Sequence, residues 1–276
     1  MPHLFPAAGE HEIDARTAAE IVERIGAADG YFYFGAAGTP ALLSGSVRAL
    51  APALRDAGKT FMASVTPYYR GQPQGTNYRA FETGGFAGMA EEWRAAIESK
   101  ANWVQIVTWN DWAESTYVAP TGSGRQACVY DARFGPILSH EGYLRASRYY
   151  IEWFKTGRQP PIVRDGLGFF YRLHPVAMAS GAPRVPQGRL VDRIFVCVFL
   201  TRPATLTIGL GTRFVSRSLP AGVSFVDVPG MPGRPSFTVV RDTHVVLKCV
   251  GELALTERDF SSRYGYYSGW VENGRS

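Results

Sequence analysis

Two carboxylic acids three residues apart, Asp111 and Glu114, close an apolar run in Val104-Gln-Ile-Val-Thr-Trp-Asn-Asp-Trp-Ala-Glu-Ser115. Trp109, Asn110 and Trp112 stand among them, and Tyr117 follows. Acids walled by aromatic rings suit sugar chemistry, because flat rings stack on pyranoses while carboxyl groups move protons at a glycosidic oxygen. One acid must stay protonated to serve the leaving oxygen; the other stays ionised to activate water or attack carbon. Burial against Trp109 or Trp112 would raise one pKa and split the pair. Three extended residues span roughly 10 Å and a turn shortens this, which covers the carboxyl separations of about 5 to 9.5 Å that glycosidases use. For an arbitrary Asp-x-x-Glu the commoner outcome is an Asp that caps a turn and a Glu paired with a surface arginine. The flanking Trp-Asn and Trp-Ala weigh against it here.

Other candidates sit at neighbouring strand ends. Glu82, in Phe81-Glu-Thr-Gly-Gly85, is placed to bind a sugar hydroxyl, with an exposed loop acid as an equal alternative. Tyr68 and Tyr69, followed by Arg70, either line a sugar subsite or form ordinary core edge. His140, opening a helix, reads as a capping or packing residue. No G-x-S-x-G, P-loop or H-E-x-x-H pattern is present. The three cysteines, Cys128, Cys197 and Cys249, form no C-x-x-C and have no histidine at ligand spacing, which argues against zinc and leaves no metal or other cofactor expected. Cys197 and Cys249 read as buried free thiols, with a disulfide open to them in an oxidising compartment.

The elements that must position these residues change character along the chain. Asp14 to Gly26 predicts a helix with Ala18, Ile21, Val22 and Ile25 on one face. A strand at Gly30–Phe34, a helix at Ser46–Ala57, a strand at Lys59–Thr66 and a helix at Met89–Ser99 follow. Then come the buried strand from Val104, a loop through Pro136 and a helix at Glu141–Thr156 stopped by Gly157. Strands alternating with helices predict parallel pairing through right-handed crossovers, with reactive groups at strand C-terminal ends. After Pro161 short strands separated by Gly and Pro turns begin at Phe169, Arg193, Ala204, Phe214, Val223, Ser236 and His244, the pattern of an antiparallel β-sandwich. The expected domains are 1–160 and 161–276.

The 276 residues, 46% hydrophobic and 19% charged, are enough for a real core. No apolar run reaches the roughly 20 residues a membrane span needs, so no membrane partner is expected. The net charge of +5 comes from scattered arginines without basic runs interleaved with aromatics, which argues against nucleic acid. The first residues show neither a basic stretch nor a long apolar one, so no signal peptide is visible.

Trp109-Asn-Asp-Trp-Ala-Glu-Ser115 with Tyr117 and Pro120 resembles the W-N-D-x-x-E-S signature of the glycoside hydrolase family 71 α-1,3-glucanases, the mutanases. Lys59 to Tyr69 is similar to that family's penultimate barrel strand. His140-Glu-Gly-Tyr143, Tyr149-Tyr-Ile151 and Lys155-Thr-Gly157 resemble its last barrel helix, Phe170-Tyr-Arg-Leu-His-Pro175 its link to the sandwich, and Tyr267-Ser-Gly269 its closing segment. The resemblance implies a (β/α)8 barrel followed by a β-sandwich, endo-hydrolysis of α-1,3-glucan with inversion, and an extracellular or cell-wall location. It assigns the catalytic pair to Asp111 and Glu114, with acid and base left open.

One departure is large: only the last three βα units are recognisable, with a remnant of an earlier strand at His3–Phe5. A barrel of this type takes about 250 residues, and roughly 160 precede the sandwich here. The expectation is therefore α/β plus all-β, a partial TIM-type barrel and a sandwich, in a truncated glucanase. A non-catalytic α-glucan or cell-wall binding protein, or an inactive fragment, is the alternative. The oligomeric state is left open.

Overall fold

A computed structural model describes residues 1–4, 13–72, 78–121, 128–131, 135–174, 187–256 and 265–274. Helix α1 (Ala15–Ile25) starts where the Asp14 carboxylate accepts the Thr17 amide, and it buries Ala18, Ile21 and Ile25, the apolar face its periodicity predicts. Strands β1 (Gly30–Phe32), β2 (Thr60–Val65) and β3 (Trp103–Ile106) form a parallel sheet in that order. Helices α2 (Pro40–Asp56) and α3 (Phe86–Glu98) supply the crossovers.

Helix α2 begins at Pro40, ahead of the predicted Ser46. The Thr39 hydroxyl accepts the Leu42 amide and Pro40 occupies the first turn, where its missing N–H costs nothing. Ser44-Gly45-Ser46 hides this start because its intrinsic helix propensity is low.

Strand β3 departs from the expected buried strand. It pairs with β2 alone among the described residues, so its outer edge stays open, Trp103 is 58% exposed, and Val104 to Ile106 are half-buried. Beside β1, the Phe32 amide donates to the Pro2 carbonyl and the His3 ring stacks on Tyr31. His3 and Leu4 thus flank the sheet without forming the expected strand remnant, and Phe5 lies outside the described residues.

A hairpin of β4 (Cys128–Asp131) and β5 (Gly135–Ile137) occupies part of the predicted loop. Helix α4 (Glu141–Thr156) has the bounds its sequence predicts and ends at Gly157, whose φ of 68° is left-handed.

Eight antiparallel strands follow: β6 (Gly166–Arg172), β7 (Arg193–Leu200), β8 (Ala204–Leu210), β9 (Arg213–Leu219), β10 (Gly222–Pro229), β11 (Pro235–Arg241), β12 (His244–Val250) and β13 (Tyr266–Glu272). They make two four-stranded sheets, β10-β7-β6-β13 and β12-β11-β8-β9. The last strand, absent from the sequence reading, pairs with β6 with Ser268 opposite Phe170.

Alternation along β6 builds two cores at once. Leu167, Phe169 and Tyr171 face the other sheet, where Phe169 lies parallel to Phe237 at 4.9 Å. Phe170 points the opposite way and joins Cys197 and Tyr266 against Phe86, Trp93, Tyr143 and Tyr150. Gly142 permits this contact, since a Cβ there would sit 3.0 Å from the Phe170 ring. Cys197 and Cys249 are both free and pack in different cores, which accounts for the absence of a bond between them.

Candidate active site

From the end of β3 the chain folds back through a relay of side-chain caps. The Asp111 amide donates to Thr108 Oγ1 at 2.9 Å, and the Glu114 amide donates to Asp111 Oδ1 at 3.0 Å. Each bond reaches three residues forward, as a helix N-cap does, so the 108, 111, 114 spacing shapes the turn. The Thr108 and Thr116 hydroxyls meet at 3.0 Å, the Thr108 amide donates to the Thr116 carbonyl, and the Ala119 amide donates to the Trp109 carbonyl. The two threonines were not among the predicted residues; Thr-x-x-Asp is their sequence signal. Asp111 does cap the turn, as the bland reading of Asp-x-x-Glu has it, but Glu114 turns toward Tyr69 and not to a surface arginine.

The end of β2 supplies the facing wall. The Arg70 amide donates to the Glu114 carbonyl at 2.9 Å, and the Tyr69 hydroxyl lies 3.5 Å from Glu114 Oε1. Ala36, Tyr69 and Val107, with Phe81 beside them, make a small apolar floor. Behind it Glu92 of α3, buried and held well above the ordinary carboxylate pKa by that burial, accepts the Thr66 amide at 2.7 Å and fixes the start of the Thr66–Arg70 run.

Asp111, Trp112 and Glu114 are half-buried, whereas Trp109 is 59% exposed and Asn110 is exposed. Burial, and then repulsion from Asp111, raise the Glu114 pKa, while the Tyr69 hydroxyl opposes the rise. Burial and the Glu114 charge together push the Tyr69 phenol up to about 12, so it stays protonated and faces Glu114 as a hydrogen-bond donor. The result is a carboxyl disposed to keep its proton beside a second acid, open on the side that carries an exposed indole.

Three predicted binding residues take other roles. Tyr68 is wholly buried, edge-on to Tyr266 at 5.2 Å with the Arg172 guanidinium 5.6 Å from its ring, so neither ring face is left for a sugar. Tyr117 is buried with its ring parallel to His140 at 4.1 Å and tilted on Trp112 at 4.7 Å; it supports Trp112 from behind. Glu82 is neither a ligand-facing nor an exposed acid. Its carboxylate accepts the Gly84 amide at 2.9 Å, the Val191 amide at 3.1 Å, Arg172 Nη1 at 2.9 Å and the Tyr266 hydroxyl. Burial raises its pKa, but Arg172 and these donors outweigh that and leave it below the ordinary value.

His140 occupies the N-cap position of α4 without a side-chain cap. Its ring nitrogens lie 2.7 Å from the Tyr117 carbonyl and 3.1 Å from the Tyr266 carbonyl, and burial pushes its pKa down to about 4. It is the packing residue expected. Among the described residues no three His, Cys, Asp or Glu side chains are grouped to hold a metal.

A family model described as glycosyl hydrolase family 71 matches residues 12–275. A mutanase of Penicillium rubens is 28% identical over 229 residues, which cover 79% of this chain and 49% of that protein. The glucan endo-1,3-α-glucosidase agn1 of Schizosaccharomyces pombe is 26% identical, covering 67% of this chain and 44% of its own. An ascus wall endo-1,3-α-glucanase of the same yeast is 28% identical, at 71% and 48%. The chain spans about half the length of the curated relatives it matches. A solved structure of a family 99 endo-α-mannosidase from Bacteroides thetaiotaomicron overlays 54% of this chain and 44% of its own at 20% identity, with a TM-score of 0.41, too low to assign a fold from.

Proposed function

The chain belongs to glycosyl hydrolase family 71, and from that premise we propose that it carries the catalytic centre of an endo-acting α-1,3-glucan hydrolase. Glu114 is the general acid and Asp111 the base that activates water for attack with inversion. The observation behind this reading is the half-buried Glu114, raised in pKa beside Asp111 at the end of β3. Trp109, Asn110 and Trp112 line the glucan path, and Tyr69 positions Glu114. The names of the relatives, a mutanase and two endo-1,3-α-glucanases, support the linkage, and a cell-wall polysaccharide in an extracellular setting is the corresponding partner.

In the same reading β1 to β3 are the last three strands of a (β/α)8 barrel within residues 1–160, and the two antiparallel sheets are a β-sandwich within 161–276. Closing such a barrel takes eight strands, against three parallel strands among the described residues, so the glucan cleft needs a second wall beyond the open edge of β3. Asp111→Asn and Glu114→Gln should each abolish release of reducing sugar from α-1,3-glucan by the protein with its cleft complete. Retention of most of the activity by either variant would sink the assignment. The open edge of β3 also favours a second reading, a glucan-binding protein without turnover, which predicts retention on insoluble glucan with no sugar released.

A further inference from the structure

A second aromatic surface is built on β13, outside the turn that carries Asp111 and Glu114. Trp270 of β13 stands opposite Gly168 of β6. Gly166 and Gly168 leave the sheet bare beneath it, and the indole rests on that bare patch: a Cβ on Gly166 would fall 2.6 Å from Trp270 Cζ2, and one on Gly168 3.2 Å from Cε3. Phe199 packs edge-on at 5.6 Å. Trp270 is still only half-buried, and it lines a cleft of about 460 Å³ between α4 and the sheet.

Arg145, Arg148, Tyr149 and Glu152 form the opposite wall from one face of α4, and Glu272 continues β13 along the floor. These helical residues lie roughly 8 to 18 Å down the axis from His140 at 1.5 Å per residue, away from the end of α4 that neighbours Tyr117. Arg164, like Glu152, also lines the cleft, and two of its three arginines are paired with carboxylates. Arg148 lies 3.9 Å from Glu272, and Arg145 bonds Glu141 at 3.1 Å. A strong anion site would keep its arginines free of carboxylates. Interspersed donors and acceptors around a flat apolar ring instead match a neutral ligand with hydroxyls at its rim and a C–H face, and the volume falls within the roughly 300–1,000 Å³ of small-ligand sites.

We infer that this cleft is a second carbohydrate-binding site, in which a glucosyl ring of a neutral α-glucan stacks on Trp270 while the arginine and glutamate pairs bind its hydroxyls. The identity of the sugar rests on the function proposed above; the site itself rests on the cleft. Its role is to hold polymer on the protein independently of the catalytic centre.

The test titrates ¹⁵N-labelled protein with a soluble α-1,3-linked gluco-oligosaccharide and follows the indole N–H resonances, with that of Trp270 identified by its loss in Trp270→Phe. The Trp270 resonance should shift, and should still shift in an Asp111→Asn, Glu114→Gln double variant. Arg148→Ala, at an exposed position, should weaken the binding read at Trp270 at least fivefold, which keeps the test independent of how well Trp270→Phe folds. Shifts confined to Trp109 and Trp112 would overturn this site and leave the proposed function standing. The absence of any indole shift, together with no hydrolysis, would overturn both. A stronger response of Trp270 to an oligogalacturonate than to the glucan would overturn the neutral-sugar assignment.

Discussion

Adjacent residues here have opposite fates. Tyr68 and Tyr69 leave the same strand end, and the alternation of side chains sends one into the core with Arg172 and the other to Glu114. The sequence reading treats the two alike, because assigning each tyrosine to its side requires the partner surfaces. Asp111, Glu114 and Trp109 could be proposed from type and spacing alone, without knowledge of their partners. The role of Glu82 could not, since Arg172 and Tyr266 lie 90 and 184 residues away in sequence. If Glu114 donates the proton, activity falls as pH rises through its raised pKa. Tyr69→Phe removes a hydrogen bond that favours the carboxylate, so the alkaline limb of kcat/KM should move to higher pH. A shift to lower pH would contradict the acid assignment. Trp109→Ala should raise KM about threefold to tenfold with kcat little changed, the magnitude expected for a lost stacking contact.

Caps and turns carry most of the legible information at the level of elements. Asp14 and Gly157 mark helix ends by local chemistry, and α4 was read to its bounds, whereas the Thr39-Pro40 start of α2 was passed over. Strand β13 was missed because its partner β6 lies about a hundred residues earlier (Tyr266 opposite Arg172), and Gly-rich strands show weak periodicity. The loop after β3 is held by hydroxyl-to-amide bonds that owe little to apolar packing. Thr108→Val should therefore cost about 1–2 kcal/mol and reduce kcat by loosening Asp111, while Thr108→Ser should keep most of both. Thermal melts and single-substrate kinetics distinguish these outcomes, and equal losses in the two variants would argue that the methyl group matters more than the hydroxyl.

Across the whole molecule, two buried ion pairs tie distant segments together. Arg172, its side chain 2% exposed, joins β6 to the loop carrying Glu82 and packs its guanidinium 4.3 Å from the Tyr266 ring. Removing the cation strands a buried carboxylate, so Arg172→Met should destabilise by about 3–5 kcal/mol, and the double variant with Glu82→Leu by less than the sum. Arg241 grips Asp165 through two nitrogens at 2.8 and 2.9 Å, linking the two antiparallel sheets. That bond, aided by Thr201, holds the Asp165 pKa at about 2. Its contribution is full above the unfolded value near 3.8 and is lost as pH falls through about 2, roughly 2 kcal/mol in all. His140, neutral when folded, adds an earlier loss as pH falls from about 6.5 toward 4. Denaturant midpoints measured from pH 7 to pH 2 should fall in these two steps.

The core shared by α3, α4 and the sheet of β6, β7 and β13 bears on how the chain comes apart. Phe170, Cys197 and Tyr266 are buried in one core with Phe86, Trp93, Tyr143 and Tyr150. A break near Pro161 divides the sequence by composition but cuts no seam in the packing. Calorimetry should accordingly record one endotherm with calorimetric and van't Hoff enthalpies in agreement, and protease nicking between α4 and β6 should leave two pieces that stay associated until both unfold. A segment ending at Gly157, expressed alone, would carry an apolar surface built for a neighbour it no longer has.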